Sequence, residues 1–176
     1  MNHTRIVCFD LEMCCWNENG KGTTGEIIEF GLAEIDLVNE KIVKRAQYYV
    51  KPEQDPISPF CTQLTGITPK TVAKQGRPLA AVIQSVVKNF GGANKIFACW
   101  GRDDLILQQE CQQKGIDLPF VEYLNLSVLF LIKQRSKEKR IGHRQAQESL
   151  GIEWQGRQHS AYVDAHNLAM LALKIL

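Results

Sequence analysis

The feature that most constrains the fold of this chain is a short apolar run that contains two acidic residues. Residues 6–15 read IVCFDLEMCC, which predicts a buried β-strand. Successive side chains of a strand point to opposite faces, so Asp10 and Glu12 share one face while Leu11 lies on the other. Two neighbouring carboxylates in partly apolar surroundings repel each other and lose hydration. A bound divalent cation is the simplest group that offsets this repulsion.

The order of the remaining elements predicts an α/β fold. The segments EIIEFGLAEID and KIVKRAQYYV follow the first strand and predict a three-stranded meander. A connection with several prolines, KPEQDPISPF, then leads into helical segments and one more strand, KIFACW. Residues 121–134 are apolar, and we interpret them as a helix. Three strands followed by alternating helices and strands imply a mixed central β-sheet flanked by α-helices.

Several helix boundaries can be read from residues that favour helix ends. Thr68-Pro69 predicts a helix start, with threonine as the cap and proline at the first position. Pro78 opens a segment of helical apolar periodicity that stops at Gly91, and Gly115 ends a further helix after the strand KIFACW. Two more helices follow, in GHRQAQESLGI and DAHNLAMLALKIL.

Length and composition are those of one ordinary globular domain. The chain has 176 residues, of which 44% are hydrophobic and 23% charged. We therefore predict a single domain over residues 1–176 without an accessory domain. The formal net charge is only +2, so any interaction with nucleic acid must depend on local basic patches.

The cysteines and the hydropathy pattern indicate the setting of the protein. None of the six cysteines forms a C-x-x-C pair, which argues against a structural zinc site. No apolar run approaches the length of about 18 residues that a membrane span requires. We therefore predict a cytoplasmic protein without a membrane segment, in which most thiols are small core residues. A redox role of the neighbouring pair Cys14-Cys15 stays open.

Two more acidic segments follow the strand of Asp10 and Glu12 along the chain. Asp103 and Asp104 come just after the strand KIFACW, at the kind of position where ligand sites of α/β sheets lie. His159 precedes Asp164 by five residues, near the start of the last helix. Carboxylates suit hard cations such as Mg²⁺, and a histidine can accept a proton from water near neutral pH. Together these groups match the chemical needs of two-metal phosphodiester hydrolysis.

Each of these features also has an ordinary structural interpretation. Asp10 and Glu12 could be solvated or paired with cations, and Asp103-Asp104 could cap a helix. A loop histidine such as His159 is usually a surface residue. Spacing alone does not join the three places into one site.

The motifs FDLE, WGRDD and HSAYVD, in this order, resemble the three motifs of the DEDDh exonucleases, the DnaQ-like 3′→5′ enzymes. Within that superfamily the chain is most similar to the Eri-type branch, which acts on histone mRNA and small interfering RNA. The resemblance extends over nearly the whole chain, and the segments that carry it are EIIEFG, YYVKP, SPFCTQLTGIT, WGRDDL and GRQHSAYVDAHNLA. It implies an RNase H-like fold and removal of nucleotides from 3′ ends with two Mg²⁺ ions, for which Mn²⁺ can substitute.

The resemblance also implies roles for individual residues. His159 corresponds to the general base, and Glu12 belongs to both the catalytic and the metal-binding set. We choose Asp104 over Asp103 as the middle carboxylate because an apolar residue follows it, as in the family motif. The implied metal ligands are Asp10, Glu12, Asp104 and Asp164. Relatives often have an aromatic residue just before the middle aspartate, and Trp100 could take over that stacking role here.

The remaining implied contacts concern the substrate, a single-stranded RNA or DNA 3′ end. The backbone at Met13 and Cys14 resembles the part that meets the terminal 3′-hydroxyl, and the loop of Leu64, Thr65 and Gly66 resembles the part that packs on the terminal nucleotide. A basic run between residues 133 and 144 could contact phosphates or could be a solvated surface. Its cations are Lys133, Arg135, Lys137, Lys139, Arg140 and Arg144.

Two other functions stay open at this point. The chain could be a catalytically silent nucleic-acid-binding module with the same fold, or an oligoribonuclease that degrades very short RNAs. The four acidic ligands and the histidine favour an enzyme, because a silent module has no need for mutually repelling carboxylates. The sequence is compatible with RNA or DNA as the substrate, and with a monomer or a homodimer.

Overall fold

A five-stranded mixed sheet forms the centre of the protein. The computed structural model describes residues 3–18, 21–135 and 141–176. The strands are β1 (Arg5–Glu18), β2 (Lys21–Asp36), β3 (Lys41–Tyr49), β4 (Ile96–Cys99) and β5 (Glu122–Asn125). Their order across the sheet is β3-β2-β1-β4-β5. The first three strands are antiparallel neighbours, whereas β4 lies parallel to β1 and β5 lies parallel to β4.

Helices cover both faces of this sheet. They are α1 (Pro59–Thr65), α2 (Pro69–Gln75), α3 (Leu79–Phe90), α4 (Asp103–Gln113), α5 (Leu126–Lys133), α6 (His143–Ser149) and α7 (Ala161–Ile175). Apolar side chains of α3 and α4 share one buried cluster with part of β1, and side chains of α5, α6 and α7 share a second. The predicted α/β fold, a mixed sheet flanked by helices, is therefore confirmed.

The alternation of side chains along β1 determines on which face of the sheet the two acidic residues lie. Phe9 and Leu11 belong to the core shared with α3 and α4, whereas Cys8 belongs to the core shared with α7. Asp10 and Glu12 continue the Cys8 face, because side chains two residues apart along a strand share a face. Pairing between β1 and β4 ends at Cys8, so both carboxylates lie where β1 extends beyond its parallel neighbour.

The interpretation of residues 121–134 as one helix is wrong in its first part. Residues Glu122–Asn125 form the edge strand β5, and only Leu126–Lys133 are helical. The side chain of Asn125 accepts hydrogen bonds from the backbone N–H groups of Ser127 and Val128, which makes it the cap of α5. The four preceding residues become a strand because β4 offers an open edge to pair with, which is a tertiary effect.

Two other boundaries differ from the sequence prediction. Helix α1 lies partly within the segment assigned to an irregular connection, and it begins with the same signal that correctly predicted α2. Ser58 caps it by accepting the N–H of Cys61, and Pro59 occupies its first position. Strands β1 and β2 also extend further into their connection than predicted, to Glu18 and from Lys21.

The six cysteines are all free and buried. This confirms the prediction that thiols serve here as small core residues. Within the described ranges, no helix has both the length and the apolar character needed to cross a membrane.

Candidate active site

Four carboxylates from three elements converge beside the free part of β1. Asp10 and Glu12 project from the strand, Asp103 comes from the first turn of α4, and Asp164 from the first turn of α7. Burial raises the pKa of Asp10 well above its ordinary value, and the charges of the other three carboxylates raise it further. Such an effect requires that these groups lie close together in a poorly hydrated place.

Glu12, His159 and Asp164 form the tightest part of this cluster. One potential ligand atom from each residue lies within 4.8 Å of the other two. Burial, together with the charges of neighbouring carboxylates, raises the pKa of Glu12 to about 8. Burial also raises the pKa of Asp164 to about 7, although the backbone N–H of His159 donates to its Oδ2 atom at 3.1 Å.

Asp103, rather than Asp104, faces the other carboxylates. Asp103 accepts a hydrogen bond from the backbone N–H of Leu11, and burial raises its pKa to about 7 despite this bond. Asp104 instead pairs with Arg102, whose Nε lies 3.2 Å from Oδ1, and approaches the Sγ of Cys99. Neighbouring residues of a helix point about 100° apart, so only one of the two can face β1. We therefore propose Asp103, in place of Asp104, as the carboxylate at the middle position of the site.

His159 has a backbone conformation that is uncommon for a residue other than glycine. Its φ angle is +63°, in the left-handed region. Its backbone N–H is bound to Asp164, so the imidazole stays next to the acidic cluster while remaining exposed. Burial of part of the ring and the charge of Arg157 lower the pKa of His159. This shift favours the neutral form of the imidazole, which can accept a proton.

A fifth buried carboxylate, Glu29, was not identified from the sequence. It lies on β2 directly opposite Glu12, is 1% exposed, and accepts hydrogen bonds from the first backbone N–H groups of α7. The available signal was a charged residue between apolar ones in the middle of the strand segment EIIEFG. Such a residue is costly to bury unless something pairs with it.

Gly31 allows α7 to approach the sheet closely. It lies on β2 opposite Asp10, and a Cβ atom added there would come within 1.9 Å of the carbonyl oxygen of Ala161. Any side chain at this position would push the first turn of α7, and with it Asp164, away from β1. The glycine therefore helps to set the size of the site.

Gly31→Ala is expected to destabilise the protein by roughly 3 kcal/mol or more, because backbone atoms of α7 must move to make room. Nuclease activity should fall with it. The measurement is urea unfolding, with Gly22→Ala on the same strand as control, because the atom nearest to an added Cβ there is the Trp16 carbonyl oxygen at 4.0 Å. Equal stability of the two variants would contradict this account of Gly31.

Comparison with known proteins shows the family of this chain. An exonuclease family model matches residues 7–172. The chain belongs to this exonuclease family. It is 32% identical to ERI1 exoribonuclease 2 of Xenopus laevis over 97% of its own length, and 27% identical to the 3'-5' exonuclease Snipper of Drosophila melanogaster over 99%. These matches cover 28% of the Xenopus protein and 70% of Snipper, so the exonuclease domain spans under a third of the former.

Solved structures show the same fold. A histone mRNA stem-loop complex of a 3'-exonuclease superposes with a TM-score of 0.84 at 25% identity, covering 97% of this chain and 80% of that one. The nuclease domain of 3'hExo, described as a DEDDh family member bound to rAMP, gives 0.82 at 25% identity, covering 97% and 90%. The predicted membership in the Eri-type branch of the DEDDh exonucleases is thereby confirmed.

The site of this exonuclease domain has the donors that a hard divalent cation requires. Asp164 Oδ1 is buried and has no hydrogen-bond partner among the described residues, although its sister atom Oδ2 is bound. A buried carboxylate oxygen without a partner is unfavourable unless a cation meets it. Oxygen donors from carboxylates, with no thiol among them, fit Mg²⁺ or Mn²⁺ rather than a soft metal.

Two of the residues predicted to lie at the substrate are buried within the fold. Cys14 is fully buried, and its thiol points at the carbonyl of Asp55. Thr65 is 4% exposed and bonds within the α1 turn, to the carbonyl of Cys61 and the N–H of Ile67. Cys14 has no exposed surface and Thr65 almost none, so neither residue is available for a substrate contact in this structure.

The indole of Trp100 packs between Phe130 and His143, with ring centroids 5.9 and 5.4 Å away. Its Nε1 donates to the carbonyl of Ile141 at 3.3 Å. The indole thus packs against the last part of the basic run, at Ile141 and His143, which disfavours the predicted stacking on a base.

The basic run is only partly described. Lys133 ends α5, Arg135 follows it, and Arg144 pairs with Glu148 at 2.8 Å. The prediction for Lys137, Lys139 and Arg140 lies outside the described residues.

Arg157 links two predicted parts of the site. Its guanidinium donates to the carbonyls of Gln63 and Leu64, at 2.8 and 3.2 Å, in the last turn of α1. The next residue after that helix is Gly66, which ends it with φ +80°. The loop predicted to hold the terminal nucleotide is thus tied to the segment that carries His159.

Arg157→Ala is expected to raise KM several-fold, because the α1 loop loses this tie. It should also shift the acid limb of the pH–rate profile to higher pH, because the positive charge that helps to lower the pKa of His159 is removed. Arg77→Ala is the matched control, since Arg77 is also exposed and also donates to a backbone carbonyl, that of Ala81. Identical pH profiles for Arg157→Ala and the unsubstituted protein would contradict the prediction.

Proposed function

We propose that the protein is a 3′→5′ exonuclease that removes nucleoside monophosphates from single-stranded 3′ ends, with RNA as the favoured substrate. The observation that carries this proposal is the carboxylate cluster around Asp164 Oδ1, an atom without a hydrogen-bond partner among the described residues, with the imidazole of His159 beside it. The names of the relatives, ERI1 exoribonuclease 2 and 3'-5' exonuclease Snipper, support the same reaction and the RNA preference.

The residues present divide the chemistry among them. Asp10, Glu12, Asp103 and Asp164 would hold Mg²⁺, or Mn²⁺ in its place, and the bound charge would help to activate water and to stabilise the leaving 3′ oxygen. His159 accepts the proton of the attacking water, which a neutral imidazole can do. The hydrogen bond from the backbone N–H of His159 to Asp164 keeps the imidazole close to the carboxylates.

The terminal nucleotide is expected to lie between two backbone segments. The loop at Leu64 and Gly66 forms one side, and the backbone at the partly buried Met13 forms the other. Lys133 and Arg135 can contact phosphates further along the strand, an interaction that weakens with salt and is independent of sequence. Base stacking on the partly buried Leu64 would need no particular base.

A time course on matched 5′-labelled single-stranded RNA and DNA tests the proposal. With Mg²⁺ or Mn²⁺ we expect a ladder that shortens from the 3′ end, faster on RNA, and no products with EDTA. Equal or faster degradation of DNA would contradict the RNA preference but not the reaction. No cleavage of either by folded protein would favour the silent binding module.

Substrate length separates the proposed enzyme from an oligoribonuclease. Rates on RNAs of graded length should stay within a few-fold of one another if the terminal nucleotide and nearby phosphates supply most of the binding. Turnover confined to the shortest RNAs would favour the oligoribonuclease.

A single catalytic domain, a cytoplasmic setting, and a monomeric or homodimeric state remain part of the proposal.

A further inference from the structure

Glu29 is a buried carboxylate near the site with hydrogen-bond donors at both of its oxygen atoms. Its Oε2 accepts the backbone N–H of Ala161 at 3.1 Å, and its Oε1 accepts that of Tyr162 at 3.2 Å. The side-chain amide of Gln47 on β3 donates to Oε1 at 2.7 Å, and the Ser160 hydroxyl lies 3.4 Å from the same atom. A carboxylate bound in this way is already satisfied and is unsuited to be a further metal ligand.

The two backbone donors are the first N–H groups of α7, which have no partner within the helix. A helix usually satisfies such groups with the side chain of its own cap residue. Here Ser160 occupies the cap position without forming a side-chain cap bond. Glu29 therefore supplies from β2 the cap that α7 lacks, and its negative charge lies at the positive end of the helix.

The position of Glu29 connects this cap to the site. On β2 it lies directly opposite Glu12, and Gly31, two residues further, lies opposite Asp10. The same turn of α7 that Glu29 holds rests on Gly31 and carries Asp164, and His159 is bound to that aspartate. Any movement of this turn changes the distance between the carboxylates of β1 and those of α7.

We propose that Glu29 is a positioning residue: by capping α7 it fixes Asp164 and His159 at their working distance from Asp10 and Glu12. This inference rests on the proposed exonuclease function. It assigns no contact with substrate or metal to Glu29 itself. A fixed first turn matters here because four mutually repelling carboxylates would otherwise drive α7 away from β1.

The test uses Glu29→Gln, which keeps the size of the side chain but places an amide N–H₂ group against backbone N–H donors. Glu34→Gln is the matched control, because Glu34 is also a buried glutamate of β2 and bonds to Lys95 Nζ at 2.5 Å instead. Three quantities are measured on both variants: amide exchange of peptide 158–165, Mn²⁺ affinity by calorimetry without nucleic acid, and kcat and KM on single-stranded RNA.

For Glu29→Gln we expect faster amide exchange in peptide 158–165. Mn²⁺ affinity and kcat should each fall by roughly 10–100-fold, while KM stays within about twofold of its original value. Glu34→Gln should lower the melting temperature without these changes. Unchanged exchange and Mn²⁺ affinity in folded Glu29→Gln protein would overturn the inference. If the unsubstituted protein degrades no nucleic acid, the proposed function fails, while exchange and Mn²⁺ binding still decide the role of Glu29.

Discussion

Asp103→Asn is expected to lower kcat on the order of a thousandfold, whereas Asp104→Asn should leave it within a few-fold of the original value. Asp103 faces Asp10 and Asp164, so its substitution would remove one of the proposed metal ligands, worth about 4 kcal/mol of transition-state stabilisation for a thousandfold effect. Asp104 is paired with Arg102 and lies outside this group. The two substitutions change the same atoms in adjacent residues, which makes each the control for the other.

The measurement is single-turnover cleavage of 5′-labelled RNA at saturating Mg²⁺, on variants whose far-UV circular dichroism matches that of the original protein. The ratio of the two rate constants reports which carboxylate serves the reaction. If Asp104→Asn were the inactive variant, our reassignment would be wrong, and the family motif would be a better guide than the geometry. Loss of activity in both variants would mean that the reaction needs both carboxylates of α4.

Metal-free protein is expected to lose stability as the pH rises from about 5 to about 8, and divalent cation should abolish most of this loss. Burial and mutual repulsion raise the pKa of Glu12 to about 8 and those of Asp103 and Asp164 to about 7. The folded protein therefore binds more protons than the unfolded chain between the ordinary carboxyl pKa and these values. Under that condition the free energy of unfolding falls with rising pH.

We expect the melting temperature without metal to fall by roughly 5–10 °C over this interval, since about 1 kcal/mol corresponds to ~2–4 °C for a chain of this size. Bound cation stabilises only the folded state, by about 2.7 kcal/mol at a hundredfold excess over the dissociation constant. Thermal unfolding at pH 5 and pH 8, with EDTA and with Mn²⁺, measures both effects. Asp10→Asn should reduce the pH dependence, and an unchanged or rising melting temperature towards pH 8 in EDTA would contradict this explanation.

The local rules of the sequence predicted a large part of the fold correctly. The shared face of Asp10 and Glu12 follows from the two-residue period of a strand, which holds wherever one face is buried. Helices α2 and α3 begin at Thr68-Pro69 and Pro78 because capping and proline effects act within a few residues. Helix α1 was missed although Ser58-Pro59 carries the same signal, so that error lay in the interpretation rather than in the sequence.

Other features depend on groups that are distant along the chain. Residues Glu122–Asn125 are a strand because β4 presents an open edge, and apolar composition alone does not distinguish that from a helix. Glu29 caps a helix that begins more than 130 residues later, which no local pattern can indicate. Its burial becomes understandable only once the partner N–H groups are located.

By itself, the sequence determined the α/β class, the strand that carries Asp10 and Glu12, and the presence of Asp164 and His159 near the start of the last helix. These depend on interactions between near neighbours in the chain. Only the tertiary structure shows that Asp103 rather than Asp104 faces Asp10, and that Glu29 and Gly31 lie against the first turn of α7. Those choices depend on the rotation of a helix and the packing of backbone against backbone, which arise when distant segments meet.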